Sequence, residues 1–118
     1  MKVKYNEIVN AIEYLVTISK KEMSVKEAVG VARIIKSIRD EYAIYQDKQN
    51  ELLEKYSELM PDGRYKFYDD ESAKNFNNDY SELLDFEIEL DITPVKLMSD
   101  IKIDAETIIA TEKFIDFE

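Results

Sequence analysis

The chain has no cysteine, no histidine and no tryptophan, and only 2 glycines and 2 prolines among its 118 residues. Without cysteine there is no disulfide, thiolate metal site or thiol nucleophile, and without histidine the usual general base and zinc ligand are missing. Ser–His–Asp catalysis is excluded on the same ground. The glycines, Gly30 and Gly63, are too few for a phosphate-cradling loop of the Walker or Rossmann type. No window reaches the roughly 18 uninterrupted apolar residues of a membrane span, and MKVKYNEIVN lacks the apolar centre of a signal peptide. The expectation is a soluble, cytoplasmic protein that needs no cofactor and does not meet a membrane.

What is present is charge and helical periodicity. With 45% hydrophobic and 36% charged residues, 1–118 has the composition and size of one domain with a modest core. The net charge of −10 is unevenly spread, since residues 69–91 set nine acids against the single base Lys74, whereas residues 1–68 are nearly balanced. A surface of that sign repels nucleic acid and attracts a basic partner, and it also serves plain solubility.

Ile8, Ile12, Leu15 and Ile18 repeat at helical spacing, with Val9 and Val16 widening the stripe, which predicts a helix over about 6–19. Ser24 followed by Glu27 is a capping-box signature and starts a second helix at Val25. Steps of three and four from Ala28 give Val31, Ile35, Ile38, Tyr42, Tyr45, Gln49, Leu52, Tyr56 and Leu59, a heptad seam in which only Gln49 is polar. Running from Val25 to Leu59, this helix would span about 50 Å, longer than the diameter of a globule whose radius of gyration is about 13 Å. The first helix can fold back over its first half only, burying Val31, Ile35 and Ile38, with Gly30 between Ala28 and Ala32 allowing the two backbones to approach. The distal seam, Tyr42, Tyr45, Gln49, Leu52 and Tyr56, needs another cover. A second copy of the chain and the C-terminal third of the same chain are both open as that cover, and Gln49 suits register control in an oligomer.

Pro61-Asp62-Gly63 makes a turn, Arg64–Tyr68 a short strand, and residues 70–84 a third helix with Ala73, Phe76, Tyr80, Leu83 and Leu84 on one face. In DFEIELDI, Phe86, Ile88, Leu90 and Ile92 alternate with Asp85, Glu87, Glu89 and Asp91, predicting a strand with one core face and one acidic face. Short extended pieces follow at 95–97 and 101–103, and Asp104 caps a last helix carrying Ile108, Ile109 and Phe114. The fold class is therefore α+β, mainly α: a long helical hairpin (1–60) packed against a small sheet, with short C-terminal helices in the mixed part (61–118).

Carboxylates are the remaining chemistry. Glu51, Glu54 and Glu58 share part of a helix face, and Glu82 with Asp85 forms an E-x-x-D pair; all-helical nucleotide pyrophosphohydrolases hold magnesium with such spacings. In a chain with 26 acids these spacings arise by chance, so the reading is non-enzymatic, with a magnesium-dependent nucleotide hydrolase as the exception.

The segments LLEKYSELMPDGRYKF, SELLDFEIELDITPVKL and IKIDAETIIATEKFI, in that order, resemble a family of small proteins of unknown function encoded by tailed bacteriophages and prophages, chiefly of Gram-positive hosts. The resemblance spans about residues 25–118. It implies a phage or mobile-element origin, and the family has no site residues to transfer. Two functions follow as expectations. The first is a non-enzymatic phage accessory or assembly protein that oligomerises along its long helix through Tyr42, Tyr45, Gln49, Leu52 and Tyr56. The second is an acidic inhibitor of a host defence or nucleic-acid enzyme, imitating DNA with Asp85, Glu87, Glu89 and Asp91. That row approximates phosphate spacing only if acids also fill the neighbouring rows. The partner is then a protein, either a second copy or a basic host protein.

Overall fold

The longest element begins where Ser24 and Glu27 satisfy each other. The Ser24 hydroxyl accepts from the Glu27 N–H at 3.2 Å and the Glu27 carboxylate accepts from the Ser24 N–H at 3.3 Å, which closes the capping box. From there α2 runs Val25–Tyr56, about 48 Å of helix. α1 (Tyr5–Ser19) folds back along its first half, and Val31, Ile34, Ile35 and Ile38 are buried together with Ile8, Ala11, Leu15 and Ile18. This is the hairpin that the periodicity predicts. The computed structural model describes residues 1–117 and shows an α+β fold that is mainly α. Its extents are 52 × 30 × 22 Å and its radius of gyration 17.3 Å, against about 13 Å for a globule of this length. The length of α2 sets the long axis.

Several boundaries differ from the sequence expectation, each for a local reason. α2 ends at Tyr56 rather than Leu59, because the Pro61-Asp62-Gly63 turn sets both of its flanks opposite one another as strands. β2 (Ser57–Leu59) pairs antiparallel with β3 (Tyr65–Phe67), Ser57 facing Phe67 and Leu59 facing Tyr65. The Ser57 hydroxyl donates back to the Leu53 carbonyl, Met60 N–H to Arg64 O at 2.7 Å, and Gly63 takes the turn's positive φ of 86°. α3 (Asp70–Asp85) then starts at Asp69, whose carboxylate accepts from the Ser72 N–H at 2.7 Å.

The long run predicted over Phe86–Ile92 contracts to β4 (Glu87–Glu89), and its antiparallel partner is β1 (Lys2–Lys4), with Val3 facing Ile88. β1 is absent from the expectation, although Lys-Val-Lys already alternates. Of the four apolar residues expected on the core face only Leu90 is buried, and Phe86 is 57% exposed. Phe86 still closes α3, its N–H reaching the Leu83 carbonyl, so its side chain leaves the helix before the strand alternation begins.

β5 (Val95–Leu97), α4 (Ala105–Thr111) and β6 (Ile115–Phe117) complete the chain, β5 and β6 pairing in parallel. The last helix is thus shorter than expected, and the buried Phe114 lies beyond it. α4 also turns the other way: Thr107 and Thr111 are buried while Ile109 is 69% exposed. Threonine permits close approach to α1, and the Thr111 hydroxyl donates to the Thr107 carbonyl at 2.6 Å, so its burial strands no polar atom. Residues 101–103 form no strand. In place of one small sheet there are three separate two-stranded ribbons among the described residues. Gly30 serves β5 rather than α1, because a Cβ there would lie 2.7 Å from Val95 Cγ2.

Candidate functional site

The distal seam is closed within one chain. α3 packs along the second half of α2, where Tyr45 and Tyr80 share a hydrogen bond between their hydroxyls at 2.6 Å and the Tyr56 hydroxyl donates to Asp79 Oδ2 at 2.6 Å. Tyr45 is only 3% exposed, while Tyr42, Gln49, Leu52 and Tyr56 are half-buried. Burial first, and then the Tyr80 hydroxyl, push the Tyr45 phenol pKa upward, so it stays neutral. Ring contacts run on through Phe86, Tyr5, Tyr45, Tyr80, Phe76 and Phe67, each centroid 5.2 to 6.4 Å from the next. Tyr5, buried and donating to Glu41 at 3.0 Å, has its pKa raised to about 12, chiefly by desolvation. Of the two covers the sequence left open, the chain's own helix is the one in place.

The acidic row is divided. Asp85 belongs to α3, Glu87 and Glu89 to β4, and Asp91 lies beyond the strand, so no single strand face carries all four. Across the ribbon Lys4 stands opposite Glu87 and Lys2 opposite Glu89; Lys2 Nζ approaches Glu87 diagonally at 4.0 Å, and the Met1 amino group lies 3.0 Å from Glu89. The neighbouring row is therefore basic, the opposite of what imitation of two phosphate rows requires. No group of three or more acids among the described residues is arranged to hold a metal ion, including Glu51, Glu54, Glu58, Glu82 and Asp85.

No family model, curated protein or solved structure matches this chain. No described helix is long and apolar enough to cross a membrane.

Two surfaces missing from the sequence reading stand out. The first is the distal ribbon. Ser57 and Phe67 face inward under α3, but the next pair on that side, Leu59 and Tyr65, is exposed, as is Tyr68. The sequence signal was the alternation of Tyr65, Lys66 and Phe67 after the turn; its partner was hidden because Ser57–Leu59 does not alternate and also continues the heptad.

The second lies at the other end of α2, where an open groove of about 670 Å³ runs between its first turns and β5, lined by Val29, Pro94, Val95 and Met98 with Lys26 and Arg33 at its rim. Glu27 fixes the groove wall. Its carboxylate accepts from the Ser99 and Ser24 hydroxyls and from the Met98 N–H at 2.8 Å, and these bonds pull its pKa from 4.5 to about 2. A lowered folded pKa means that the tie is fully present above the ordinary value and is lost as the pH falls toward the folded one. The protection of the Met98 and Ser99 amides, taken as the ratio of intrinsic to observed exchange rate at each pH, should therefore fall between pH 4.5 and about 2. Glu27→Gln should show low protection across that whole range; protection equal to the parent's would dismiss the tie.

Proposed function

We propose that this protein is non-enzymatic and acts through protein–protein contacts, as a phage accessory or assembly factor working in the host cytoplasm. The observation that carries this reading is the distal ribbon. It holds Leu59, Tyr65 and Tyr68 in solvent at one end of the 52 Å molecule, on a turn pinned by backbone bonds to Met60 and Arg64. Tyrosines presented on a fixed scaffold combine large contact area with a small entropic loss on binding. The acidic-inhibitor alternative has weaker support, because Lys2 and Lys4 flank the strand that was to carry it.

The test is paired affinity capture from host cells, using the parent and a Tyr65→Ser/Tyr68→Ser variant whose circular dichroism matches it. A stoichiometric protein partner should be recovered with the parent, be lost with the variant, and bring the parent down when it is tagged itself. Identical recoveries from the two baits would remove the ribbon as the contact.

A further inference from the structure

The outward face of α2 is basic in its first half and mainly acidic in its second. Arg33 and Glu51 are about five full turns apart and so lie on the same side of the helix, opposite the buried Val31, Ile35, Ile38 and Tyr45. Within about 60° of that line are Lys26, Val29 and Lys36 toward the N-terminal end, then Asp40, Ile44, Asp47 and Glu54, with Lys48 and Lys55 along one edge of the acidic half. All are exposed. α1 and α3 cover the other side. β5 against Gly30, and the α3 residues Asp79, Glu82 and Leu83 that line an open pocket with Glu51 and Leu52, flank this stripe without covering it.

We propose that this face docks a second copy of the chain, with the two α2 helices antiparallel about a two-fold axis near Tyr42. In that register Arg33 of each copy meets Glu51 of the other, Lys36 meets Asp47, and beside the axis Asp40 of each copy lies level with the exposed Ile44 of the other. A parallel arrangement sets base against base and acid against acid, so the charge pattern itself selects the antiparallel one. The contact is isologous, so it closes at the dimer. Glu51 already has Lys48 at 3.2 Å on its own helix, but an exposed i,i+3 pair is weak and exchanges readily for a better-placed arginine. Few apolar side chains take part, so the association is electrostatic and salt-sensitive.

This inference deepens the protein-contact reading by naming one partner, and rests on it. The experiment is sedimentation equilibrium of the full chain over a dilution series, at about 20 mM and about 500 mM salt, between which the screening length falls several-fold. The parent should dimerise at low salt and dissociate at high salt. Arg33→Glu and Glu51→Arg should each weaken the dimer about tenfold or more, since the two-fold axis makes each reversal break two pairs. The double variant should recover most of the loss. A parent that stays monomeric at low salt overturns the proposal and leaves the face to a foreign protein. A dimer indifferent to both single reversals overturns it too. Because Tyr65 and Tyr68 are not among the proposed pairs, partner capture through the ribbon can survive the failure of self-docking, and the two ideas fail separately.

Discussion

Tyr45→Ala should lose about 3–5 kcal/mol of stability, a large share of the roughly 5–15 kcal/mol that holds a domain of this size. The ring is 3% exposed and lies within 6.4 Å, centroid to centroid, of Tyr5, Tyr42 and Tyr80. Its removal empties the point where α1, α2 and α3 converge, and none of these neighbours can move in without abandoning another contact. Tyr45→Phe separates the ring from its hydroxyl. It keeps the packing and deletes the bond to Tyr80, whose own hydroxyl is near enough to the surface to find water, so about 1 kcal/mol is expected. Thermal unfolding should place the alanine variant about 10–20 °C below the parent and the phenylalanine variant within a few degrees of it. Equal shifts for both would mean that the hydroxyl pair, and not the aromatic packing, fastens α3 to α2.

Phe114→Ala is the second large effect, also about 3–5 kcal/mol. Phe114 is 1% exposed just past α4, and its backbone serves two elements: its N–H donates to Thr111 O at 2.9 Å and its carbonyl accepts from Val95 N–H at 3.0 Å. The side chain therefore packs the place where the β5–β6 ribbon meets α4 and α1. Its interest lies in cooperativity. If residues 1–117 fold as one unit, the whole transition shifts, and circular dichroism, which is dominated by α2, moves together with the fluorescence of the tyrosines, all of which lie between Tyr5 and Tyr80. If the C-terminal ribbon is a separate unit, the variant loses it alone and the two signals keep the parent's midpoint.

The sequence announced most clearly what local chemistry controls. The Ser24–Glu27 box and the Asp104 cap sit at helix starts, and the stripe of Ile8, Leu15 and Ile18 is buried as its spacing requires. It was silent where an element depends on a distant partner. Lys2-Val3-Lys4 is too short to be a strand except beside Glu87–Glu89, and Ser57–Leu59 fits a helical seam until the turn gives it Tyr65–Phe67 to pair with. α4 misled for a related reason. Spacing favours Ile108 and Ile109, but the helix sits close enough to α1 that threonines occupy the interface. The tyrosines were read correctly as needing cover, yet periodicity alone could not say that Tyr80 and Asp79 of the same chain would supply it.

The pairing of Lys2–Lys4 with Glu87–Glu89 has a consequence for birth on the ribosome. α1 and α2 can associate as soon as both have left the exit tunnel, but Val3 has nothing to pair with until the chain has grown past Leu90. At about 5–20 residues per second the first strand waits some seconds, roughly 4 to 17, with its backbone open. Val3 is flanked by Lys2 and Lys4, and a lone valine between two like charges is a poor template for pairing with another nascent chain. The same two lysines that later face the acids of β4 thus act first as guards against premature aggregation.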